Sequence, residues 1–145
     1  MAMIFEDQGC TQVWKAYFNN VWAAGGKNLT LKLFVNNVTP SSTGADTAAT
    51  FTEATGGGYA ALTLTNGSWT VSTNAGIVQA AYAQQQFLFT GPLTTNPTIY
   101  GYFVVDADGN LVFAERAAAT FTPAANGDYY DVTPIVQISH GTPVA

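Results

Sequence analysis

The sequence predicts an all-β fold: a single-domain antiparallel β-sandwich or jelly roll, preceded by a short N-terminal helix or arm. Short runs that alternate between apolar and polar residues recur from residue 29 onward, and turn residues separate them. About eight such runs at regular spacing are typical of sandwiches and jelly rolls. We therefore divide the chain into an N-terminal segment, residues 1–28, and a sandwich domain, residues 29–145.

The clearest local signal is a hairpin between Thr98 and Arg116. Two runs of aromatic and β-branched residues flank an Asp-Ala-Asp-Gly-Asn turn, which is a strong hairpin signature. Both faces of the first run are apolar, which is typical of a strand buried on two sides. One face carries Ile99, Gly101, Phe103 and Val105, and the other carries Tyr100, Tyr102 and Val104.

The remaining strands are predicted from the same alternation. Asn66-Gly67 predicts a turn, and Pro134 indicates an edge or a bulge in the last strand. Between residues 38 and 49 lies a long loop of small polar residues. The predicted strands are Leu29–Asn36, Tyr59–Thr65, Ser68–Thr73, a hairpin-like pair within Ile77–Gly91, and Tyr130–Ser139.

The N-terminal segment has a different pattern, an apolar stripe at helical spacing. An arm, a strand or an oligomerisation element also fits these residues. Aromatic anchors dominate the energetics of protein interfaces, so this stripe is the predicted partner-binding site. Its members are Val13, Trp14, Tyr17, Phe18, Val21 and Trp22, of which Trp14, Tyr17, Phe18 and Trp22 are the candidate anchors.

The composition limits the possible partners. Only 9% of the residues are charged, against about 25% in an ordinary domain, so we expect copies of the chain or a larger assembly to cover part of the surface. Four basic residues and a net charge of −5 argue against nucleic acid, and no apolar run is long enough for a membrane span. The acidic N-terminus is unlike a signal peptide, which indicates a protein made in a cytoplasm.

Few residues indicate catalysis or metal binding, and we expect no enzyme activity, no cofactor and no metal. Asp106, Asp108 and Asn110 lack the later ligands of a calcium loop, so a hairpin turn is the better interpretation. We interpret Glu115 as a structural ion pair with Lys32 or Arg116, or a subunit contact, rather than as a catalytic acid.

Three other features have a non-catalytic interpretation. Cys10 and His140 cannot form a zinc site, and nothing local supports a nucleophile pair. The single cysteine also excludes an internal disulfide. The run Gly56–Gly58 lacks the lysine and helix of a phosphate loop and is interpreted as a flexible loop.

Six segments follow one another along the chain: LKLFVNNVTPSS (Leu31–Ser42), FTEATGGGYAALTL (Phe51–Leu64), SWTVS (Ser68–Ser72), QQFLFTG (Gln85–Gly91), IYGYFVVDADGNLVFAER (Ile99–Arg116) and GDYYDVTPIVQIS (Gly127–Ser139). In this order they resemble a family of small virion structural proteins of tailed bacteriophages. The resemblance spans Leu29 to Ser139 and implies a virion component, foremost a head decoration or cement protein; it supplies no catalytic residues.

The sequence hypothesis is thus a non-enzymatic homo-oligomer, a trimer, that binds the major capsid protein on the capsid exterior. The N-terminal segment and the loop Val38–Ala49 would reach the neighbouring subunits or the capsid lattice. The alternative is a tail- or baseplate-associated jelly-roll module that recognises host surface glycan through Trp69, Tyr129 or Tyr130. A glycoside hydrolase ranks third, because no paired carboxylates are evident.

Overall fold

A computed structural model describes residues 28–41, 44–74, 77–94 and 96–139. The predicted N-terminal helix or arm, with its candidate anchors Trp14, Tyr17, Phe18 and Trp22, lies outside the described residues, as do Cys10 and His140. The described part contains nine strands and one short 3-10 helix, Ala48–Thr50. The strands are β1 (Leu29–Phe34), β2 (Leu62–Leu64), β3 (Thr70–Asn74), β4 (Ile77–Ala81), β5 (Gln85–Leu88), β6 (Ile99–Val105), β7 (Leu111–Phe121), β8 (Tyr129–Val132) and β9 (Ile135–Ser139).

The described strands form three antiparallel sheets, which confirms the predicted all-β class. Their orders are β2–β1–β6–β7, β3–β4–β9 and β5–β8. The chain divides into two compact units. The larger unit comprises Asn28–Leu64 and Gln84–Val132, and the smaller unit includes Thr65–Ala83 and the segment from Thr133 onward.

β6 is the central strand of the larger unit, as the hairpin pattern predicts. It lies between β1 and β7, and every residue of it except Tyr100 is buried. On one side the rings of Phe34 and Phe51 approach to 5.1 Å, and those of Phe51 and Phe103 to 5.4 Å. Val105 completes this buried cluster. Burial of each such side chain contributes roughly 1.5–3 kcal/mol, so this cluster is a main source of stability.

The two sheets of the larger unit pack together through aromatic contacts. Tyr59 stacks on Phe87 of β5 with ring centroids 5.8 Å apart. Phe121, at the end of β7, lies 6.1 Å from Phe89 and 5.6 Å from Tyr130 of β8. A four-stranded sheet thus packs on a two-stranded one, and the unit is a small antiparallel β-sandwich.

Two predictions about the strands are wrong: one concerns a hairpin and the other the length of a strand. The segment Ile77–Gly91 is not a hairpin, because β4 pairs with β3 and β9, whereas β5 pairs with β8. The predicted strand Tyr130–Ser139 is two strands in different sheets, with a break at the buried Pro134. Proline cannot donate to a ladder, and here it ends one strand rather than bulging within it. The Asn66-Gly67 turn is present, with Gly67 at φ 85°.

The smaller unit is organised around β4, in which Val78 and Ala80 are fully buried. Trp69 is 4% exposed and lies edge-on to Tyr82, with ring centroids 5.1 Å apart. The Tyr82 hydroxyl accepts a hydrogen bond from the Thr65 amide at 3.0 Å. Trp69 is therefore a core residue of this unit, as most aromatic residues in small β-domains are.

The glycine run before β2 is closely packed, which corrects the prediction of a flexible loop. Gly56, Gly57 and Gly58 all have positive φ. The Thr90 amide donates to Gly57 O at 2.8 Å, and a Cβ atom on Gly57 would lie within 3.0 Å of the backbone of residues 91 and 92. Only glycine allows both this backbone conformation and this approach.

Candidate interaction surfaces

The turn between β6 and β7 has the geometry of a hairpin turn. Asp106 Oδ1 accepts hydrogen bonds from the amides of Asp108 and Asn110, each at 2.9 Å, and Gly109 takes φ 86°. Within the described ranges, no group of three or more His, Cys, Asp or Glu side chains could hold a metal ion. The turn interpretation of this motif is confirmed.

Glu115 is not in an ion pair with Lys32 or Arg116, so this part of its interpretation is wrong. It is exposed, and its Oε2 accepts a hydrogen bond from the Tyr102 hydroxyl at 2.5 Å. Lys32 instead forms an ion pair with Glu53, with Nζ and Oε2 2.8 Å apart. The strand register explains the difference: Tyr102 lies directly opposite Glu115, whereas Lys32 lies opposite Phe103 on the other face of the sheet. A subunit contact at Glu115 stays a prediction.

A register shift places Leu111 on the face of the sheet opposite Glu115, whereas Phe113 shares the face of Glu115. β7 pairs Phe113 with Val104 but Leu111 with Val105, so Val112 is an extra residue. Leu111 consequently packs against the Phe34 cluster, whereas Phe113 lies edge-on to the Tyr102 ring at 6.4 Å. One extra residue moves the side chain of every residue beyond it to the opposite face of the sheet. A hairpin pattern in the sequence does not reveal such an extra residue.

Three tyrosines beside these carboxylates have raised pKa values. Burial raises the pKa of Tyr102, and the Glu115 charge and hydrogen bond raise it further. Burial also raises the pKa of Tyr130, with a smaller contribution from the same charge. The pKa of Tyr59 is raised mainly by burial, although its hydrogen bond from the Leu33 amide acts in the opposite direction. The neutral phenols of Tyr102 and Tyr59 donate hydrogen bonds to Glu115 and Glu53.

Lys32, Glu53 and Tyr59 form a linked polar group. The Tyr59 hydroxyl donates to Glu53 Oε1 at 3.1 Å and accepts from the Leu33 amide at 3.2 Å. The Lys32 and Glu53 side chains are 27% and 34% exposed. These contacts join the segment after the loop to β1. We assign it a structural role.

Residues 36–52 form a loop whose base is closed by one side chain, and we call it the clamped loop. Asn36 Nδ2 donates to Thr50 O at 2.9 Å, and Asn36 Oδ1 accepts from the Thr52 amide at 2.8 Å. Beside it, the Val35 amide donates to Thr52 O at 2.9 Å. A side-chain amide that bonds both to a donor and to an acceptor of the returning chain holds the two ends of the loop together.

Arg116 fixes the first part of the clamped loop to β7. Its guanidinium donates to Val38 O at 2.6 Å and to Asn37 Oδ1 at 2.7 Å, and it lies 5.4 Å from the centre of the Tyr100 ring. Val38 and Ala48 pack against the Phe34 cluster. The tip beyond these anchors, residues 39–47, carries small side chains, and its described residues, 39–41 and 44–47, are mostly exposed.

The outer surface of the two-stranded sheet carries two large exposed apolar residues. Leu88 is 61% exposed and Tyr129 is 55% exposed, and the two lie directly opposite each other. The next pair on this side is Gln86 and Asp131, joined by a hydrogen bond of 3.0 Å. We call these four residues the ribbon face. Sequence reasoning found Tyr129 but missed Leu88, although the alternation in QFLFT signals that Leu88 points away from the buried Phe87 and Phe89.

Of the three aromatic residues considered for glycan recognition, Tyr129 is the exposed one. Trp69 is buried against Tyr82, and Tyr130 is partly buried against Phe121. Trp69 therefore offers no ring face to a ligand, and the hypothesis of a glycan site at Trp69 is wrong.

The described residues contain no helix with the length and apolarity of a membrane span. No protein-family model, curated protein or solved structure matches this chain.

Proposed function

We propose that this protein is a non-enzymatic structural protein of a tailed-bacteriophage virion, a decoration or cement protein that binds the capsid exterior as a homo-oligomer. The ordered segments that resemble phage virion proteins support this proposal. So does the low charged fraction of 9%, because a charge-poor surface favours association.

The clamped loop is the observation that carries the proposal. Asn36 and Arg116 hold its base, and its tip presents Ser, Thr, Gly and Ala, with Asp46 as the single charge. A loop whose base is held in place before binding loses less conformational entropy when it docks. Small neutral side chains also allow close approach to the crowded surface of an assembled shell.

The mechanism is selective binding to the assembled shell. A protein that binds the shell and not its free subunits stabilises the shell by RT ln(1 + [L]/Kd), which is about 2.7 kcal/mol at a hundredfold excess over Kd. The candidate anchors in the N-terminal segment, Trp14, Tyr17, Phe18 and Trp22, would supply a second contact with the major capsid protein.

Binding to assembled capsids tests the proposal. Capsids are formed from the major capsid protein of the same phage genome and mixed with the wild-type chain or one of three variants. One variant lacks residues 1–22, one has Gly-Ser in place of residues 40–46, and a control replaces Ala107 in the exposed β6–β7 turn with Ser. We expect co-sedimentation of the wild type and the control, and loss of binding in the other two variants with their β-sheet circular dichroism retained. Absence of wild-type binding would overturn the proposal.

A second candidate, recognition of a host-surface glycan by a tail-associated module, is favoured by the ribbon face. Tyr129 presents a ring beside the polar pair Gln86 and Asp131, and sugar-binding sites combine aromatic and polar groups in this way. A glycan array probed with the wild type and with Tyr129→Ser tests it. A hit that the variant loses supports this candidate, and an array without hits removes it.

A further inference from the structure

Two turns of this chain contain an Asn-Gly pair, and they have the same form. Each is closed by a hydrogen bond from the amide of its fourth residue to the carbonyl of its first, at 3.2 Å in Thr65–Ser68 and 3.3 Å in Ala125–Asp128. The glycine is the third residue of each turn, with φ of 85° at Gly67 and 96° at Gly127. This conformation is typical of a type II turn. The two turns are therefore matched in sequence and in backbone geometry.

The two turns differ in the amide of the glycine. The Gly127 amide donates a hydrogen bond to Phe89 O at 2.9 Å. In the described part of the chain, the Gly67 amide has no acceptor, and nothing lies within 4 Å of the position that a Cβ atom on Gly67 would take. The peptide group between Asn66 and Gly67 can thus rotate without breaking a hydrogen bond of its N–H, whereas the same rotation at Asn126 breaks one.

We propose that Asn66 is a site of spontaneous deamidation, and that the hydrogen bond of the Gly127 amide protects Asn126 from the same reaction. The Gly67 nitrogen, after loss of its proton to solvent, attacks Cγ of Asn66 and forms a five-membered succinimide ring. The Cγ–Nδ2 bond breaks, and Nδ2 takes up a proton and leaves as ammonia. Water then opens the ring at one of its two carbonyl carbons. The product is an aspartate, or an isoaspartate in which Cγ has entered the main chain.

An asparagine followed by glycine is well suited to this ring closure, because no side chain shields the attacking nitrogen. The nitrogen and the carbonyl carbon belong to adjacent residues, so the rate depends on how often rotation of the peptide group brings the two atoms into contact. A hydrogen bond on the nitrogen holds the peptide group in its turn conformation and lowers that frequency. The sequence contains two Asn-Gly pairs, and the structure distinguishes them by this hydrogen bond.

Deamidation of Asn66 changes a part of the protein that is otherwise without charge. The described residues of the smaller unit, 65–74, 77–83 and 133–139, include no Asp, Glu, Lys or Arg. The new carboxylate follows Thr65, whose amide donates to the Tyr82 hydroxyl at 3.0 Å. An isoaspartate also lengthens the main chain before the buried Trp69 by one carbon atom. Because closely packed interiors tolerate such changes poorly, we expect the modified protein to be less stable.

Peptide mapping of the whole chain tests the proposal. The protein is kept at mildly alkaline pH, either folded in buffer or unfolded in concentrated guanidinium chloride, and samples are taken over time. Trypsin cuts after Lys32 and Arg116, so Asn66 and Asn126 fall in separate peptides, and mass spectrometry with fragmentation measures the converted fraction at each. Asn66→Ser and Asn126→Ser are matched variants for isoelectric focusing, since each removes one side-chain amide from an equivalent turn.

We expect Asn66 to react roughly fivefold to tenfold faster than Asn126 in the folded protein, because a hydrogen bond of ordinary strength must first break at Gly127. In the unfolded chain the two rates should be equal. The acidic form that focusing detects should be largely lost in Asn66→Ser and should persist in Asn126→Ser.

Three results would overturn the proposal: equal rates in the folded protein, the same ratio of rates in both states, or no reaction at Asn66 in the folded protein while the unfolded chain reacts. The reaction needs only this chain and water, so its test is independent of capsid binding.

Discussion

Tyr102 and Glu115 lie directly opposite each other on β6 and β7, and the Tyr102 hydroxyl donates a hydrogen bond to the Glu115 carboxylate at 2.5 Å. Tyr102 is 6% exposed, whereas Glu115 is exposed at the sheet edge. The carboxylate thus satisfies the polar end of a buried ring without being buried itself. This avoids the large cost of burying an unpaired hydroxyl.

This pair makes stability sensitive to alkaline pH. The pKa of Tyr102 is raised in the folded protein, whereas that of an unfolded tyrosine is about 10. Its contribution is therefore fully present below about pH 10 and is lost as the pH rises through the folded-state pKa. We expect Tyr102→Phe to reduce the fall in unfolding free energy between about pH 9 and pH 11, measured by urea denaturation.

Tyr129→Phe is the matched control, because it removes a hydroxyl from the same unit at an exposed position. It should leave the pH dependence of the wild type unchanged. A Tyr102→Phe protein with the wild-type alkaline slope would contradict the assignment.

Gly101 is required by close packing rather than by backbone conformation. A Cβ atom there would clash with the Glu115 carbonyl oxygen and would lie 2.6 Å from the Phe34 ring. We expect Gly101→Ala to destabilise the protein by about 3 kcal/mol, since overpacking a dense core forces the backbone to shift. Gly91→Ala is the control, because nothing lies within 4 Å of its Cβ position. Equal unfolding midpoints for the two variants would contradict this account.

The β6–β7 hairpin and β1 could be predicted from the sequence because their signals are local. Alternation and a Gly-containing turn specify two neighbouring strands, and the structure has them at Ile99–Val105 and Leu111–Phe121. Local alternation does not specify distant partners. β4 and β5 are three residues apart in sequence and yet join different sheets, which nothing within Ile77–Gly91 could reveal.

The candidate surfaces were predicted less completely, for the same reason. Asn36 is the last residue of the predicted strand Leu29–Asn36, and its role depends on a chain that returns sixteen residues later. The pairing of Lys32 with Glu53 spans 21 residues and depends on how the clamped loop folds back. Sequence reasoning identified this loop as a distinct element, because its small polar residues form a local signal.

The clamp made by Asn36 can be tested by its removal. Asn36→Ala leaves Thr50 O and the Thr52 amide without their side-chain partner. We expect a loss of about 1–2 kcal/mol in unfolding free energy and faster limited proteolysis within residues 39–47. Thr39→Ala, at an exposed position of the same loop, should change neither by a measurable amount. Unchanged proteolysis of Asn36→Ala would show that the loop is held by other contacts.

Asp128 should make stability dependent on acidic pH. Its carboxylate accepts hydrogen bonds from the Ala124 amide at 2.7 Å and the Ala125 amide at 2.9 Å, and these bonds lower its pKa. Because the folded pKa lies below the unfolded one, the contribution is present above the unfolded pKa of about 3.9 and is lost as pH falls through the folded pKa.

Asp128→Asn should therefore be less stable than the wild type at about pH 7, and this deficit should narrow at about pH 2, because the wild-type stabilisation is lost as the pH falls through the folded pKa. Denaturant midpoints at the two pH values measure this difference. Asp131→Asn removes the same charge without removing a backbone hydrogen bond, and it controls for net charge. A deficit of Asp128→Asn that is equally large at both pH values would show that the side-chain geometry, and not the charge, stabilises this turn.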